Sequence, residues 1–341
     1  MRHARFWVIL LGAAGAVVGC VPEETGGGGT GGEAASGGTS AGGGSTGGLS
    51  AAGGTTSAGG AAQGATAGSA GAAECPDPPA GAPSAAITAV DTINAARLGM
   101  GIPCQQLVLT LCTSAQNHCN YYAASQSDAA CQPASAHNEI EGCPYFTGVS
   151  VGDRIQAAGY TGRGVSECMA FANDPVRAVT MFINSVYHRT PILSPWKRDM
   201  GYGNATGCDT IDFGTGPTTP STVTAYYPYA GQTGVPTCFR GDRETPTPPA
   251  PPADWPSGFP ITIFAQNLTV TTHTIVVDGT TTELSHQWLD GDSTLGSSAK
   301  VLYTDAPLTA NTAYRVTIDG TISSAPAHFE WTFTTGATTR C

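Results

Sequence analysis

The sequence predicts two folded regions of different class, an α+β layer over residues 84–230 followed by an all-β sandwich over 259–341. Three observations carry this. Apolar residues recur at helical spacing through the first region before strand-like pieces set in, and period-two alternation dominates after Pro260. Between them TPTPPAPPADWP, at 245–256, reads as a stiff polyproline-like spacer within a linker over 231–258.

The 341-residue chain begins with a signal-type segment. Arg2 and Arg5 precede an apolar run from Phe6 to Val18, shorter than the ~20 residues a bilayer-spanning helix needs. It ends in Val17-Val18-Gly19-Cys20, which resembles the bacterial lipobox and marks 1–20 as a lipoprotein signal peptide with lipidation at Cys20. Acyl chains there would hold the protein on a membrane without a transmembrane helix. Residues 21–80 are the tether. From Thr25 to Ala73 nearly every residue is Gly, Ala, Ser or Thr, and 20 of the 46 glycines fall there, so the segment cannot bury apolar surface. Its root-mean-square reach is about 40 Å.

The formal charge of −11 and the presence of only two lysines, Lys197 and Lys300, exclude a basic stripe, and with it nucleic-acid binding. The chain has eleven cysteines; without Cys20 ten remain, an even number suited to an oxidising compartment and up to five disulfides. Their pairing is not legible. Cys104, Cys112, Cys119, Cys131 and Cys143 lack the paired CxxC spacing of a zinc-thiolate site.

In the first region AAITAVDTINAARLGMG forms a helix through Ile87, Val90, Ile93 and Leu98 that ends at Gly99 and Gly101. A second helix carries Val108, Leu111, Ala115, His118 and Tyr122 on one face, with His118 read as a structural histidine. VGDRIQAAG is a short third helix, with Asp153-Arg154 forming a helix-start contact or ion pair, and Tyr160 beyond it packs. A fourth runs from Pro175 to about Tyr187. RDMGYGNA, CDTIDFG and STVTAYY read as strands. In the last region ITIFAQ, TIVVDG, ELSHQW, KVLYTD, YRVTID and HFEWTF alternate as strands of a sandwich. PLTANTAYRVTIDG resembles the loop and strand of fibronectin type III and other Ig-like domains. Arg240-Gly241-Asp242 and the sequons at Asn204 and Asn267 carry no functional reading.

AHNEIEG around His137, GDRIQAAGY ending at Tyr160, SEC around Glu167 and FINSVYHRTPIL around His188, with INAAR and AQNHCNYY before them, together resemble the CAP superfamily: the cysteine-rich secretory, antigen 5 and pathogenesis-related proteins, or SCP domains. That resemblance implies a CAP-type α-β-α sandwich with a cleft lined by His137 and His188, Glu167 as their acidic partner and Glu139 beside it. It also implies a divalent metal, zinc for instance, as a possible ligand of His137 and His188. Ser185 stands where many members carry a second glutamate, and Cys168, expected in a disulfide, replaces the asparagine after Glu167. Arg189 is expected to anchor Glu167 or a loop carbonyl.

The incomplete acidic set favours a non-catalytic, lipid-anchored module of the bacterial cell envelope, on the outer membrane or cell surface, whose cleft binds an apolar molecule, peptide or glycan. The alternative is a metal-assisted hydrolase using His137, Glu167 and His188. A serine mechanism through Ser185 lacks the oriented third group it needs.

Overall fold

The computed structural model describes residues 75–220, 222–338 and 341, together with the backbone of 17–22. Most of the expected signal peptide (1–20) and tether (21–80) therefore lies outside the described residues. The elements, in order, are β1 (Val17–Pro22), α1 (Ser84–Gly99), β2 (Gln106–Leu107), α2 (Leu109–Ser125), α3 (Val151–Ala157), β3 (Ser166–Ala170), α4 (Pro175–Ile183), α5 (Arg189–Leu193), β4 (Asp199–Ala205), β5 (Cys208–Gly214), β6 (Ala225–Tyr227), β7 (Cys238–Phe239), β8 (Glu244–Thr245), β9 (Ser257–Gly258), β10 (Ile261–Phe264), β11 (Leu268–Val277), β12 (His286–Leu289), β13 (Ala299–Thr304), β14 (Ala313–Ile322) and β15 (Ala325–Thr334).

The helices follow local chemistry. Asp174 accepts from the Arg177 amide at 2.7 Å, with Pro175 in the first helical position, so α4 starts where the Asp-Pro pair dictates. It is shorter than the expected run to Tyr187. The chain leaves it at Asn184 and starts the short α5 at Arg189, with Pro191 inside that first turn, where its missing N–H costs nothing. Ser150 and Asp153 form a reciprocal capping box at the start of α3.

A six-stranded sheet in the order β2-β4-β5-β3-β1-β8 carries these helices. Gly201 and Gly203, two apart on β4, face α2; a Cβ on either would come within 2.1–2.2 Å of the helix backbone. The glycines of MGYGN are therefore what lets α2 lie directly on the sheet.

Beyond it lie a four-stranded antiparallel sheet, β12-β13-β10-β6, and a three-stranded one, β11-β14-β15. The described chain is thus mixed helix and sheet with several antiparallel sheets, matching the expected α+β class. One apolar core runs from Ala86 in α1 to Phe333 in β15. β6, from the STVTAYY stretch, pairs with β10, and Tyr226 stacks on Trp331 at 4.2 Å between ring centres. Arg189, fully buried, donates to the carbonyls of Ile183 (2.8 Å) and Pro260 (2.5 Å) and lies against the rings of Tyr227 and Phe259. It anchors carbonyls rather than Glu167.

Residues 231–258 are folded against this core rather than extended as a spacer. Trp255 packs on Phe239 and Tyr303, the Tyr303 hydroxyl donates to Pro249 O at 2.5 Å, and Cys238 is bonded to Cys341. Proline density alone suggested an exposed rod; the aromatic anchors set among the prolines bury enough apolar surface to override it. The other pairings are Cys75–Cys104, Cys119–Cys208 and Cys131–Cys143; Cys168 is disulfide-bonded, and Cys112 is a buried free thiol.

Candidate functional site

His137 lies in the loop leading to α3. The Cys131–Cys143 bond closes that loop, and the Tyr121 hydroxyl on α2 clamps it by donating to Cys131 O at 2.7 Å and accepting from Ile140 N at 2.8 Å. This places the His137 Nδ1 2.7 Å from Glu167 Oε1 on β3. The other Glu167 oxygen accepts from Arg154 Nη2 of α3 at 2.6 Å, and Arg154 Nη1 donates to His137 O at 2.8 Å. Glu139 joins through His118, whose Nδ1 stands 3.0 Å from Glu139 Oε1 and whose Nε2 stands 3.7 Å from Glu167. Thr147 N completes Glu139 at 2.6 Å. His137, Glu139 and Glu167 are thus brought together within a buried network that also holds His118 and Arg154.

Asp212 adds a third carboxyl. It is the direct cross-strand neighbour of Glu167 in the β3–β5 pair, is fully buried, and lies beside the Ser114 hydroxyl as well as Glu167. Burial first, then the charge of Glu167, pushes its acid well above the usual carboxylate range. For Glu167, burial works the other way from its neighbours, yet Arg154, His118 and His137 together outweigh it and keep the carboxyl below its usual range. The network is three carboxyls, two imidazoles and a guanidinium, all inside the protein.

His188 stands apart from these groups. Fully buried at the start of α5 and stacked on Phe182, it places Nδ1 2.7 Å from Glu244 Oε1 of β8. Glu244 also accepts the amides of Val186, Tyr187 and His188 at 2.9, 2.7 and 3.1 Å. Burial opposes its ionisation, but the His188 hydrogen bond and these amides prevail and lower its pKa. The expected partnership of His188 with Glu167 is therefore replaced by one with Glu244, because the folded 231–258 segment delivers a carboxylate that a free spacer would not.

Three participants were not picked out from the sequence. Asp212 had a signal, a lone acid between Ile211 and Phe213 in a buried strand. Arg154, read with Asp153 as a helix-start contact or ion pair, makes the ion pair, with Glu167, while Asp153 serves the helix start. Glu244 had none, since it sits in a charged run beside the proline-rich stretch.

None of His137, Glu139, Glu167 or His188 lines either of the two main cavities, and none is more than 3% exposed. The larger cavity, about 840 Å³, lies between α4, the 234–244 segment and the chain end, and meets the histidine pairs only at Glu244 and Ser185. The smaller, about 350 Å³, runs past Tyr160 and Gly159.

A zinc site built on His137 and His188 does not fit this donor set. Both Nδ1 atoms face carboxylates, both Glu167 oxygens are already engaged, and Arg154 supplies the positive charge a dication would bring. Among the described residues no group of three or more His, Cys, Asp or Glu side chains could hold a metal ion.

No protein-family model matches the chain, and no curated protein is similar to it. Among solved structures it is similar to a 1.5 Å crystal structure of an extracellular protein containing a SCP domain from Bacillus anthracis str. Ames, with a TM-score of 0.32 and 19% identity over 38% of this chain and 40% of that one. The chain thus spans less than half of that neighbour.

Proposed function

We propose that this chain is an extracytoplasmic CAP-type module, carried on a membrane by lipid at Cys20, that binds a small apolar, peptide or glycan ligand rather than turning one over. The four disulfides between described cysteines suit an oxidising compartment, and no described helix is long and apolar enough to cross a membrane. The two antiparallel sheets after residue 224 support reading the C-terminal part as Ig-like.

One observation carries the binding reading: the histidines and carboxylates that would do hydrolytic chemistry satisfy one another inside the protein, while the open cavity joins apolar walls to a few polar and charged side chains. Val176, Met181, Pro236 and Phe239 form its apolar lining, Asn184 and Thr180 offer neutral polar groups, and Asp174, Arg177, Arg240, Arg243 and Glu244 bring both signs of charge. A general base needs reach to a substrate proton, and His137 and His188 lack an opening to one.

The test is a thermal-shift panel of fatty acids, short peptides and oligosaccharides against the wild type and Asn184→Trp, which fills the cavity. A compound that raises the wild-type Tm and leaves Asn184→Trp unmoved supports binding there. Turnover of any panel member that disappears in His188→Ala, or on chelation, overturns the reading in favour of the hydrolase. For the anchor, mass spectrometry of the mature protein should find a diacylglycerol thioether on Cys20; Cys20 recovered unmodified or in a disulfide-linked peptide removes it.

A further inference from the structure

β11 and β12 are consecutive strands that belong to different sheets, and a pair of histidines joins them. β11 lies in the three-stranded sheet and β12 at the edge of the four-stranded one. The connection between them is pinned by a bridge of Val276 to Glu283 and by the Leu284 amide, which donates to Ile275 O at 2.9 Å. This brings His273 of β11 to His286 of β12, with Nδ1 of the first 2.8 Å from Nε2 of the second and the ring planes at 76°. Trp288, two residues beyond His286 and so on the same face of β12, stacks on His273 at 4.3 Å between ring centres.

We propose that His273 Nδ1 and His286 Nε2 form a two-imidazole site for a divalent transition-metal ion of tetragonal preference, copper first among them. This inference rests neither on the cavity beside α4 nor on a ligand for it. The difference from His137 and His188 is in what the nitrogens face: there each Nδ1 meets a carboxylate, whereas here two imidazole nitrogens meet each other. Two nitrogens at right angles about one ion, with bonds of about 2.0–2.1 Å, stand about 2.9 Å apart, whereas a tetrahedral angle separates them by about 3.3 Å. The observed 2.8 Å fits the right angle, the geometry of Cu(II) and Ni(II) with nitrogen and oxygen ligands. Copper stands above nickel and zinc in the general order of divalent affinities.

The tautomers suit an ion as well. His286 Nδ1 lies 2.8 Å from Leu284 O, a contact that needs an N–H, so in the neutral ring Nε2 carries the lone pair. A ring N–H held on a backbone carbonyl is the usual support of a ligating imidazole. His273 Nδ1 then donates to His286 before the ion arrives; on binding, that proton moves to Nε2 of the same ring, both rings stay neutral and no net proton leaves. Burial first, then His286, lowers the His273 pKa, which favours the unprotonated, ligating ring. Glu283 and Asp290 act on His273 in the other direction, and their negative charge favours a cation there. Glu283 also stands 3.7 Å from His286 Nδ1, and Asp290 pairs with Lys300. Water completes the coordination of an ion that takes two protein ligands, and because one ligand comes from each sheet, the ion ties the two sheets together.

The test titrates the full 341-residue chain with Cu2+ alone, in a buffer that does not coordinate it, read by electron paramagnetic resonance and tryptophan fluorescence. A tetragonal Cu(II) signal with two imidazole nitrogens is expected, together with quenching that falls in Trp288→Phe. Copper should bind tighter than Zn2+ by a factor on the order of ten or more. His273→Gln and His286→Gln should each weaken copper binding by a similar factor, on the order of ten, while His328→Gln, at an exposed histidine of β15, should leave it unchanged. Copper held equally by the wild type and both variants, a signal with fewer than two nitrogens, zinc bound as tightly as copper, or no binding at millimolar metal overturns the site. Should the histidine variants fail to fold, the nitrogen count of the wild type and the quenching lost in Trp288→Phe decide together: two nitrogens with reduced quenching support the site, and any other pairing removes it.

Discussion

The two histidine–carboxylate pairs share one contact, Nδ1 to carboxylate at 2.7 Å, and differ in everything that keeps the carboxylate charged. At Glu167 the work is done by side chains, a buried guanidinium and two imidazoles, beside a second carboxyl, Asp212, that is shifted the opposite way. At Glu244 one imidazole, His188, leads, and the backbone adds three successive amides at the turn into α5. A charge held by charge stands or falls with one distant arginine; a charge held by amides is as secure as the local turn. The first kind is costly to assemble and sensitive to pH, and the second is cheap and local.

The sharpest way to break the contrast is Arg154→Met. It leaves Glu167 and Asp212 facing each other without a cation, and a loss of about 3–5 kcal/mol is expected, read from urea midpoints. The same variant should shift acid unfolding to higher pH, because Glu167 loses the group that depresses its pKa most. The sign follows from that depression: a carboxyl lowered in the folded state stabilises above its unfolded pKa and loses that contribution as pH falls through the folded value. Glu244→Ala comes next, at about 3 kcal/mol, since three amides and His188 Nδ1 lose their acceptor together. Its cost should vary little between pH 6 and 8, a range in which Glu244 stays ionised and the lost amide bonds do not titrate; a steep dependence there would mean that charge, not backbone, governs this pair too.

Asp212→Asn should act in the opposite direction. A folded-state pKa raised above the unfolded value gives full stability below about pH 4 and a loss as pH rises. At pH 7 the amide should therefore gain about 1 kcal/mol, shrinking to nothing near pH 4; a variant less stable than wild type at pH 7 would show that Asp212 is ionised. The smallest effect is expected at Cys112→Ala, outside both pairs, where a buried thiol without a disulfide is exchanged for a methyl group at a cost of about 1 kcal/mol. Exchange of amides near His137 and His188 should be unmoved.

Much of the scaffold was legible because it rests on local rules. Asp174-Pro175 announces the start of α4, Ser150 and Asp153 announce α3, and the alternation of Tyr314, Val316 and Ile318 or of Trp331 and Phe333 marks β14 and β15. The end of α4 was less so, since its apolar pattern continues to Val186 and Tyr187 although the helix stops at Ile183; those two residues are buried from a turn whose amides Glu244 collects. The family resemblance puts His137, Glu139, Glu167 and His188 in one cleft; the structure joins the first three in a buried network and gives His188 to Glu244. Its companions did not follow, because Arg154 and Asp212 become partners of Glu167 only when α3 and β5 pack on β3.

By itself the sequence determined the periodicities, the caps, the glycines that admit α2 to the sheet, and the chemistry left in no surplus: few cations, many cysteines, one exportable start. Tertiary structure alone decided that residues 231–258 are part of the body, that His188 answers to Glu244 rather than Glu167, and that two adjacent acids, Glu167 and Asp212, are shifted in opposite directions. The physical reason is range. Helix and strand signals are set by backbone geometry over a few residues, whereas neutralising a buried charge requires groups 30 and 56 positions apart to meet, and which groups meet is settled only by how the layers pack.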